Sequence, residues 1–184
     1  MNNSEIEETI KNIQSLNTPE ERVAFIKYAR QVPSGGNILD IGTCAGGSAF
    51  VFALASKDDV HVYTVDPVKN PFFIENKEKF GLDKKITFFQ KTSEELAKGW
   101  DTPIDLIFID GIHSYAGVMN DFMWFREYVK KDGIVIFHDY YLYKDAIDKA
   151  VDELEESGEI EKLEIIDSLY KGEVRTGMYV SRIK

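Results

Sequence analysis

Two pairs of acidic and imidazole side chains follow directly on apolar runs of the sequence. Asp110 and His113 come after the run IFI, and His138 and Asp139 come after IVIF. A carboxylate can hold a cation, and an imidazole can take up a proton near neutral pH. If the runs are neighbouring parallel strands, their carboxyl ends meet at one edge of the sheet. Two carboxylates there repel each other unless a cation or a proton lies between them, so we expect metal binding or proton transfer at this edge.

The histidines have more than one interpretation. Either His113 or His138 could be the base that accepts a proton, or could hydrogen-bond a loop carbonyl and only brace the site. Two histidines beside two aspartates at one predicted edge favour a catalytic role for at least one of them. The third histidine of the chain, His61, begins a predicted strand at the opposite edge, and we interpret it as structural.

Apolar runs and segments of helical periodicity alternate along the chain. Five runs predict buried strands, at 37–42, 61–66, 86–90, 104–110 and 134–139. Helical patterns separate them, at 46–56, 71–80, 93–99, 115–130 and 144–157. Two further helices precede the first strand. One covers 4–16, with Ile6, Ile10, Ile13 and Leu16 on one face, and the other begins at Thr18 with a proline next to it.

The last part of the chain differs, because no helix separates its strands. Residues 163–170 and 177–183 alternate in polarity and are joined by the glycine-containing turn KGEVRT, which predicts an antiparallel hairpin. The fold class is therefore α/β, with a doubly wound, mostly parallel seven-stranded sheet, a C-terminal antiparallel hairpin and two N-terminal helices. In such sheets ligands bind at the carboxyl ends of the strands.

A glycine-containing loop joins the first predicted strand to its helix with the pattern Asp40-x-Gly42-x-Cys44-x-Gly46. Glycines there allow a tight turn and a ligand close to the backbone. The dinucleotide fingerprint G-x-G-x-x-G would need glycine at position 44, which disfavours a nicotinamide enzyme. Asp66 ends the second strand, where an acidic residue accepts hydrogen bonds from ribose hydroxyls. The alternatives are a turn without a ligand and a solvated end of a strand.

This loop resembles motif I of the class I S-adenosylmethionine (SAM) methyltransferases, acidic-x-Gly-x-Gly-x-Gly, with Cys44 in place of the central glycine. The stretch 107–141 is very similar to the subgroup that carries I-D-G-x-H-x-Y after the fourth strand and F-H-D at the end of the fifth. This is the subgroup of methyltransferase domain 24-like, O-methyltransferase-like proteins, which have a Rossmann-like fold. The resemblance covers residues 37–140.

The resemblance implies a set of site residues. The implied SAM-binding residues are Asp40, Gly42, Thr43, Cys44, Gly46, Asp66, Thr92, Ser93 and Asp110. Ser93 has an alternative role as the N-cap of a helix. Related O-methyltransferases hold a divalent ion, commonly Mg²⁺, at these two strand ends, so the implied metal ligands are Asp110, Asp139 and His138. Mg²⁺ disfavours the nitrogen of His138, whereas Mn²⁺, Fe²⁺ or Zn²⁺ accepts it. The implied catalytic residues are His113, Asp110 and His138.

We predict a SAM-dependent methyltransferase that methylates a hydroxyl on a small molecule with the help of a divalent metal. The alternative is a SAM- or nucleotide-binding Rossmann-like protein without catalysis, which would have no need for the aspartate and histidine pairs. Tyr140, Tyr141 and Tyr143 follow the fifth strand and either line an acceptor pocket or pack against the N-terminal helices.

Length and charge set the remaining expectations. The 184 residues predict one methyltransferase domain, with a helical cap at 1–32 and a Rossmann-like core at 37–184. The cap covers the site or forms a homodimer surface. A net charge of −10 repels phosphate backbones and anionic lipid, so we expect neither nucleic acid nor membrane as a partner. One cysteine excludes an intramolecular disulfide, and the N-terminus lacks a signal peptide, so we expect a cytoplasmic protein.

Overall fold

Strands and helices alternate through most of the chain in the computed structural model, which describes residues 1–11, 13 and 17–184. The strands of the described residues are β1 (Asn37–Ile41), β2 (His61–Val65), β3 (Ile86–Phe89), β4 (Ile104–Ile109), β5 (Val129–Phe137), β6 (Ile160–Ile166), β7 (Leu169–Tyr170), β8 (Val174–Arg175) and β9 (Met178–Ile183). The α-helices are α1 (Asn3–Ile10), α2 (Pro19–Ala29), α3 (Gly47–Ala55), α4 (Pro71–Lys79), α5 (Ser93–Ala97), α6 (Tyr115–Phe125) and α7 (Ile147–Glu156). None of these described helices combines the length and apolar character needed to cross a bilayer.

The main sheet confirms the predicted fold class. Within the described residues it has seven strands in the order β3-β2-β1-β4-β5-β9-β6. The first five are parallel to one another, and β9 pairs antiparallel with both β5 and β6. The predicted C-terminal hairpin is thus confirmed as the pair β6 and β9. The predicted turn between them is more elaborate, because β7 and β8 form a small two-stranded sheet of their own.

Some predicted boundaries are wrong. The helix expected at 115–130 ends at Phe125, and a 3₁₀ turn at Arg126–Tyr128 leads into β5. Val129 belongs to the sheet because it pairs with Ile104, ahead of a bulge in the β4–β5 pairing. At the other end of the chain, α1 stops at Ile10, although Ile13 beyond it is also buried. The predicted position of Leu16 lies outside the described residues.

Helix α2 begins as its sequence predicts. Thr18 is the N-cap, its hydroxyl accepts a hydrogen bond from the Glu21 amide, and the Glu21 carboxylate accepts one from the Thr18 amide. This reciprocal capping box satisfies amide groups that a helix start otherwise leaves unpaired, and the proline at the first helical position has no N–H that needs a partner. The start of α2 is therefore fixed, and the side chain of Glu21 points into the protein, where it is fully buried.

Apolar side chains cover both faces of the sheet. On one face Phe25 of α2 packs edge-to-face on Phe52 of α3 and Phe108 of β4, with ring centroids 5.0 Å apart in both pairs. On the other face Phe122 and Phe125 of α6 are buried with residues of α7. The apolar face of α6 is thus part of the core. Burial of large aromatic side chains on both faces holds the strand ends in fixed positions.

The ends of β1 and β4 are in close backbone contact at Gly42. This residue has a φ of +99°, and its amide donates a hydrogen bond to the Val65 carbonyl. A Cβ atom added there would overlap the carbonyl oxygen of Asp110. Glycine is required for two reasons, since a side chain would strain the backbone and would push β1 and β4 apart.

We expect Gly42→Ala to lower the free energy of unfolding by roughly 2–5 kcal/mol, the sum of a left-handed backbone penalty and overpacking. Gly81→Ala is the matched control, because Gly81 also has a positive φ, of +67°, but has open space around it. In the control, the free energy of unfolding should fall only by the left-handed backbone penalty, about 1–2 kcal/mol. Urea denaturation of both variants measures the difference. Equal losses would contradict the steric role of Gly42.

Candidate active site

A cavity of about 550 Å³ opens at the carboxyl edge of the sheet. This size suits a cofactor or a drug-sized ligand. Its wall includes residues that follow each of the five parallel strands, together with the small hairpin β7–β8. The wall residues, from the β3 end to the β5 end, include Thr92, Ser93, Asp66, Gly42, Cys44, Asp110, Gly111, His113, His138 and Asp139. The structure therefore brings most of the predicted site residues to one cavity.

The loop after β1 has left-handed backbone at alternate residues. The φ values are +99° at Gly42, +46° at Cys44 and +91° at Gly46, which is the N-cap of α3. Cys44 thus adopts the conformation that glycine would take without strain, at the position where the resemblance expects glycine. Its amide donates a hydrogen bond to Oδ2 of Asp66 at 3.0 Å. The cysteine is exposed and lines the cavity.

Asp40 lies behind this loop and outside the cavity wall. Its carboxylate is fully buried and accepts hydrogen bonds from Ser48, at 2.6 Å, and from Thr64. Burial raises the pKa of Asp40 to about 7. Thr43 is also buried, with its hydroxyl 2.5 Å from that of Thr64. Asp40 and Thr43, both expected at the cofactor, therefore support the loop from behind.

Asp66 and Asp121 place carboxylates in the part of the cavity near β2 and β3. Asp66 accepts hydrogen bonds from the amides of Cys44 and Val68, at 3.0 and 2.8 Å, which fixes its orientation at the end of β2. Asp121 of α6 accepts a hydrogen bond from the Ser93 hydroxyl at 2.5 Å, and burial raises its pKa to about 6. The site residues that the resemblance implied did not include Asp121.

The helix N-cap in this region is Thr92 and not Ser93. The Thr92 hydroxyl accepts a hydrogen bond from the Glu95 amide, and the Glu95 carboxylate accepts one from the Thr92 amide. Ser93 is one residue further on, so its hydroxyl is free to bond Asp121. Both residues line the cavity.

Asp110, His113 and Asp139 form a compact group near the ends of β4 and β5. His113 Nε2 lies 3.1 Å from Asp110 Oδ1 and 3.7 Å from Asp139 Oδ2. One ligand atom from each residue lies within 4.8 Å of the others, which makes this group the candidate metal site among the described residues. The hydrogen bond to Asp110 raises the pKa of His113. Burial, and then the charge of Asp110, raises the pKa of Asp139.

His138, expected as a metal ligand, lies outside this group. Its ring is buried between two carboxylates, with Nδ1 3.1 Å from Asp110 Oδ1 and Nε2 3.2 Å from Glu21 Oε2. The Nε2 contact is an ion pair without the alignment of a hydrogen bond. Burial alone would lower the pKa of His138, but the charge of Asp110, the hydrogen bond to Asp110 and the contact with the Glu21 carboxylate outweigh it and hold the pKa well above its ordinary value. A protonated imidazole has no lone pair for a metal or a further proton.

Glu21 is a site residue that sequence reasoning missed. Burial favours the neutral form, yet the contacts with His138 and the bonds from Thr18 and Ser168 lower the pKa of Glu21 to about 2. Glu21 is therefore ionised in the fully buried position it occupies. The signal in the sequence was the capping box, which explains the contact with Thr18 but gives no hint of the histidine.

Apolar side chains surround the end of the cavity beside His113. Tyr143 stacks at a tilt on the His113 ring, with centroids 4.5 Å apart. Of the three tyrosines predicted after β5, Tyr143 is the one in the cavity wall. Tyr140 instead donates a hydrogen bond to Asp152 and packs on Tyr179. The other apolar residues at this end are Ile112, Leu142, Tyr170 and Val174.

Comparisons with known proteins show what this chain is similar to. A curated relative, tapetum-specific methyltransferase 1 from Arabidopsis thaliana, is 25% identical over 136 residues, which are 68% of this chain and 56% of the relative. The chain spans about half the length of the curated relatives it matches.

Two solved structures share the fold. The O-methyltransferase from Bacillus cereus in complex with SAH superposes with a TM-score of 0.75 at 16% identity, over 100% of this chain and 92% of that one. An rRNA methylase from Streptococcus thermophilus has a TM-score of 0.71 at 13% identity, over 92% of this chain and 98% of that one. At such identities the likeness concerns the Rossmann-like fold.

The family assignment comes from the sequence itself. A family model described as a methyltransferase domain matches residues 39–140, which is more than half of the chain and spans the stretch from β1 to just beyond β5. The chain belongs to this methyltransferase domain family.

Proposed function

We propose that the protein transfers a methyl group from SAM to a hydroxyl of a small, uncharged acceptor. The observation that carries this proposal is the group of Asp110, His113 and Asp139 at one end of a cavity whose other end has the features of a cofactor site. A protein that only binds SAM has no need for such a group. Binding without catalysis is therefore the less favoured alternative.

The order of residues along the cavity supports SAM as the cofactor. The parallel part of the sheet runs β3-β2-β1-β4-β5, so the polar strand ends occur in that same order. Ser93 and Asp121 would face the adenine, Asp66 the ribose hydroxyls, and the backbone at Gly42 the methionine part. A carboxylate is a good acceptor for a diol, and a glycine lets the ligand approach the backbone. The sulfonium would then lie close to Asp110.

The group of Asp110, His113 and Asp139 explains how a hydroxyl could be activated. The acceptor oxygen attacks the methyl carbon of the sulfonium in line, the carbon–sulfur bond breaks, and its electron pair stays on sulfur as SAH forms. The hydroxyl proton must leave the oxygen. His113 is our candidate for the base, because it lies in the cavity wall, half-buried beside Asp110 and Asp139. His138 is disfavoured for this role because both of its ring nitrogens face carboxylates.

The same residues fit a divalent cation. Two carboxylates and an imidazole offer oxygen and nitrogen ligands, a set that suits Mn²⁺, Fe²⁺ or Zn²⁺ better than Mg²⁺. Asp110, His113 and Asp139 would hold the ion, in place of the set with His138 that the sequence predicted. A bound cation would lower the pKa of the acceptor hydroxyl. With all three side chains bound to the ion, none of them would be free to take the proton, and the acidified hydroxyl would release it to solvent.

The acceptor end of the cavity favours an uncharged substrate over nucleic acid. Structural relatives include rRNA methylases, so RNA is the second candidate class. The net charge of −10 repels a phosphate backbone. Among the described wall residues, the one lysine or arginine is Lys91. It lies near β3 and not beside His113. Tyr143, Tyr170 and Val174 instead offer apolar surface to an aromatic ring or an alkyl chain.

We expect isothermal calorimetry to detect SAM binding that NAD does not compete with. Asp66→Asn removes the charge that would face the ribose, so SAM affinity should fall by roughly 1–3 kcal/mol, the scale of lost hydrogen bonds to a charged group. Asp101→Asn, in an exposed position before β4, is the control and should bind SAM like the wild type. Absence of SAM binding by the folded wild type would refute the cofactor assignment.

We expect EDTA to abolish turnover of phenol and catechol acceptors, and Mn²⁺ or Mg²⁺ to restore it. Asp139→Asn should lower kcat by at least about 100-fold and keep SAM binding, because charge stabilisation by a metal contributes several kcal/mol. The matched control is Asp132→Asn, since Asp132 has a similar left-handed φ of +63° but is exposed far from the cavity. Undiminished turnover in EDTA would show that methyl transfer needs no metal.

A further inference from the structure

Glu21 lies outside the segment that the family model matches. It nevertheless contacts His138, which lies in the cavity wall. Helix α2 carries it into the core, where its carboxylate is fully buried and makes five polar contacts. A buried carboxylate is costly unless hydrogen bonds and a cation compensate it. The two carboxylate oxygens have different partners, and this difference indicates what the residue does.

One carboxylate oxygen faces the histidine. Oε2 accepts a hydrogen bond from the Thr18 amide at 2.9 Å and lies 3.2 Å from His138 Nε2. The opposite nitrogen of the same ring, Nδ1, lies 3.1 Å from Asp110 Oδ1. The ring is thus held at both of its nitrogens, and Glu21 limits how it can turn. Asp110 in turn is held at the position from which it reaches His113.

The other carboxylate oxygen holds the small hairpin. Oε1 accepts hydrogen bonds from the Ser168 hydroxyl at 2.7 Å, the Thr176 hydroxyl at 3.0 Å and the Gly177 amide at 3.3 Å. Ser168 comes just before β7 and Thr176 just after β8, so Glu21 joins the two ends of the hairpin. The hairpin carries Tyr170 and Val174 into the cavity wall.

We infer that Glu21 is a positioning residue of the methyl-transfer site, which holds His138 against Asp110 and fixes the hairpin β7–β8 as the wall of the acceptor pocket. The inference rests on the proposed function for its catalytic part. It makes helix α2 part of the active site, and it gives the hairpin a role in acceptor binding. The contact of Oε2 with His138 should therefore affect kcat, and the hydrogen bonds of Oε1 with the hairpin should affect the acceptor KM.

The test uses Glu21→Gln. Glutamine has the size of glutamate and is also accepted at this position of a capping box. With the best acceptor from a panel of phenols and catechols, kcat should fall 10- to 100-fold, the scale for groups that orient metal-binding or catalytic side chains. The acceptor KM should rise as well, while SAM affinity stays unchanged. Ser168→Ala removes a bond on the hairpin side alone, so it should raise the acceptor KM several-fold and leave kcat unchanged.

A spectroscopic measurement separates positioning from general stability. The chain has three histidines, so long-range ¹H–¹⁵N spectra resolve each imidazole. Glu21→Gln should shift the His138 ring signals and leave those of His61 in place, whereas Ser168→Ala should move neither. Tyr28→Phe is the matched control, because it removes a 2.5 Å hydrogen bond between α2 and Glu164 of β6, away from the cavity. It should change no kinetic constant.

The outcomes distinguish this inference from the proposed function. A wild type that folds, binds SAM and methylates no hydroxyl in the panel overturns the proposed function and the catalytic part of the inference. An active wild type with unchanged kcat and KM in Glu21→Gln overturns the inference alone. So does a variant whose SAM affinity falls as much as its kcat, since that indicates general destabilisation. If Glu21→Gln does not fold, an unchanged acceptor KM in Ser168→Ala overturns the inference.

Discussion

The ionised carboxylate of Asp110 is the group on which the rest of the site depends. Both His113 Nε2 and His138 Nδ1 lie 3.1 Å from its Oδ1, and Asp139 is close by. Burial disfavours its charge, but the imidazoles outweigh this effect and lower the pKa of Asp110. His138 in turn needs Glu21 on its far side. Removal of one partner from such a buried pair typically costs roughly 3–5 kcal/mol, so the site and the fold stabilise each other.

The topology explains why these charges meet. The strand order reverses at β1, which lies between β2 and β4, and the carboxyl ends of the parallel strands share one edge. The loop after each strand then contributes polar groups to the same cavity. Close contact of Gly42 with the Asp110 backbone brings the loop after β1 next to the group of Asp110, His113 and Asp139. Apolar helices cover both faces of the sheet, so a ligand would bind at this edge.

The sequence predicted what depends on local pattern. Apolar runs and glycines located the strands, the glycine-containing loop after β1 and the carboxylates at the strand ends, because each of these features lies within a few neighbouring residues. The sequence could not show which way the rings of His113 and His138 point, since this depends on the turn at the end of each strand. The sequence could not predict the contacts of Glu21 for a different reason. Its partners Ser168 and Thr176 are far away in the chain, and packing of α2 brings them together.

The turn after β5 explains why aspartate occupies position 139. Its φ is +54°, and its carbonyl accepts hydrogen bonds from the amides of Leu142 and Tyr143, so the chain folds back sharply at this point. Glycine would adopt this backbone more easily, but it has no carboxylate to place beside His113. Most larger residues would be strained, whereas aspartate and asparagine tolerate left-handed backbone. The position thus needs both a tolerated turn and a negative charge, and aspartate satisfies both. Backbone strain at this residue is then a consequence of the chemistry proposed for the site.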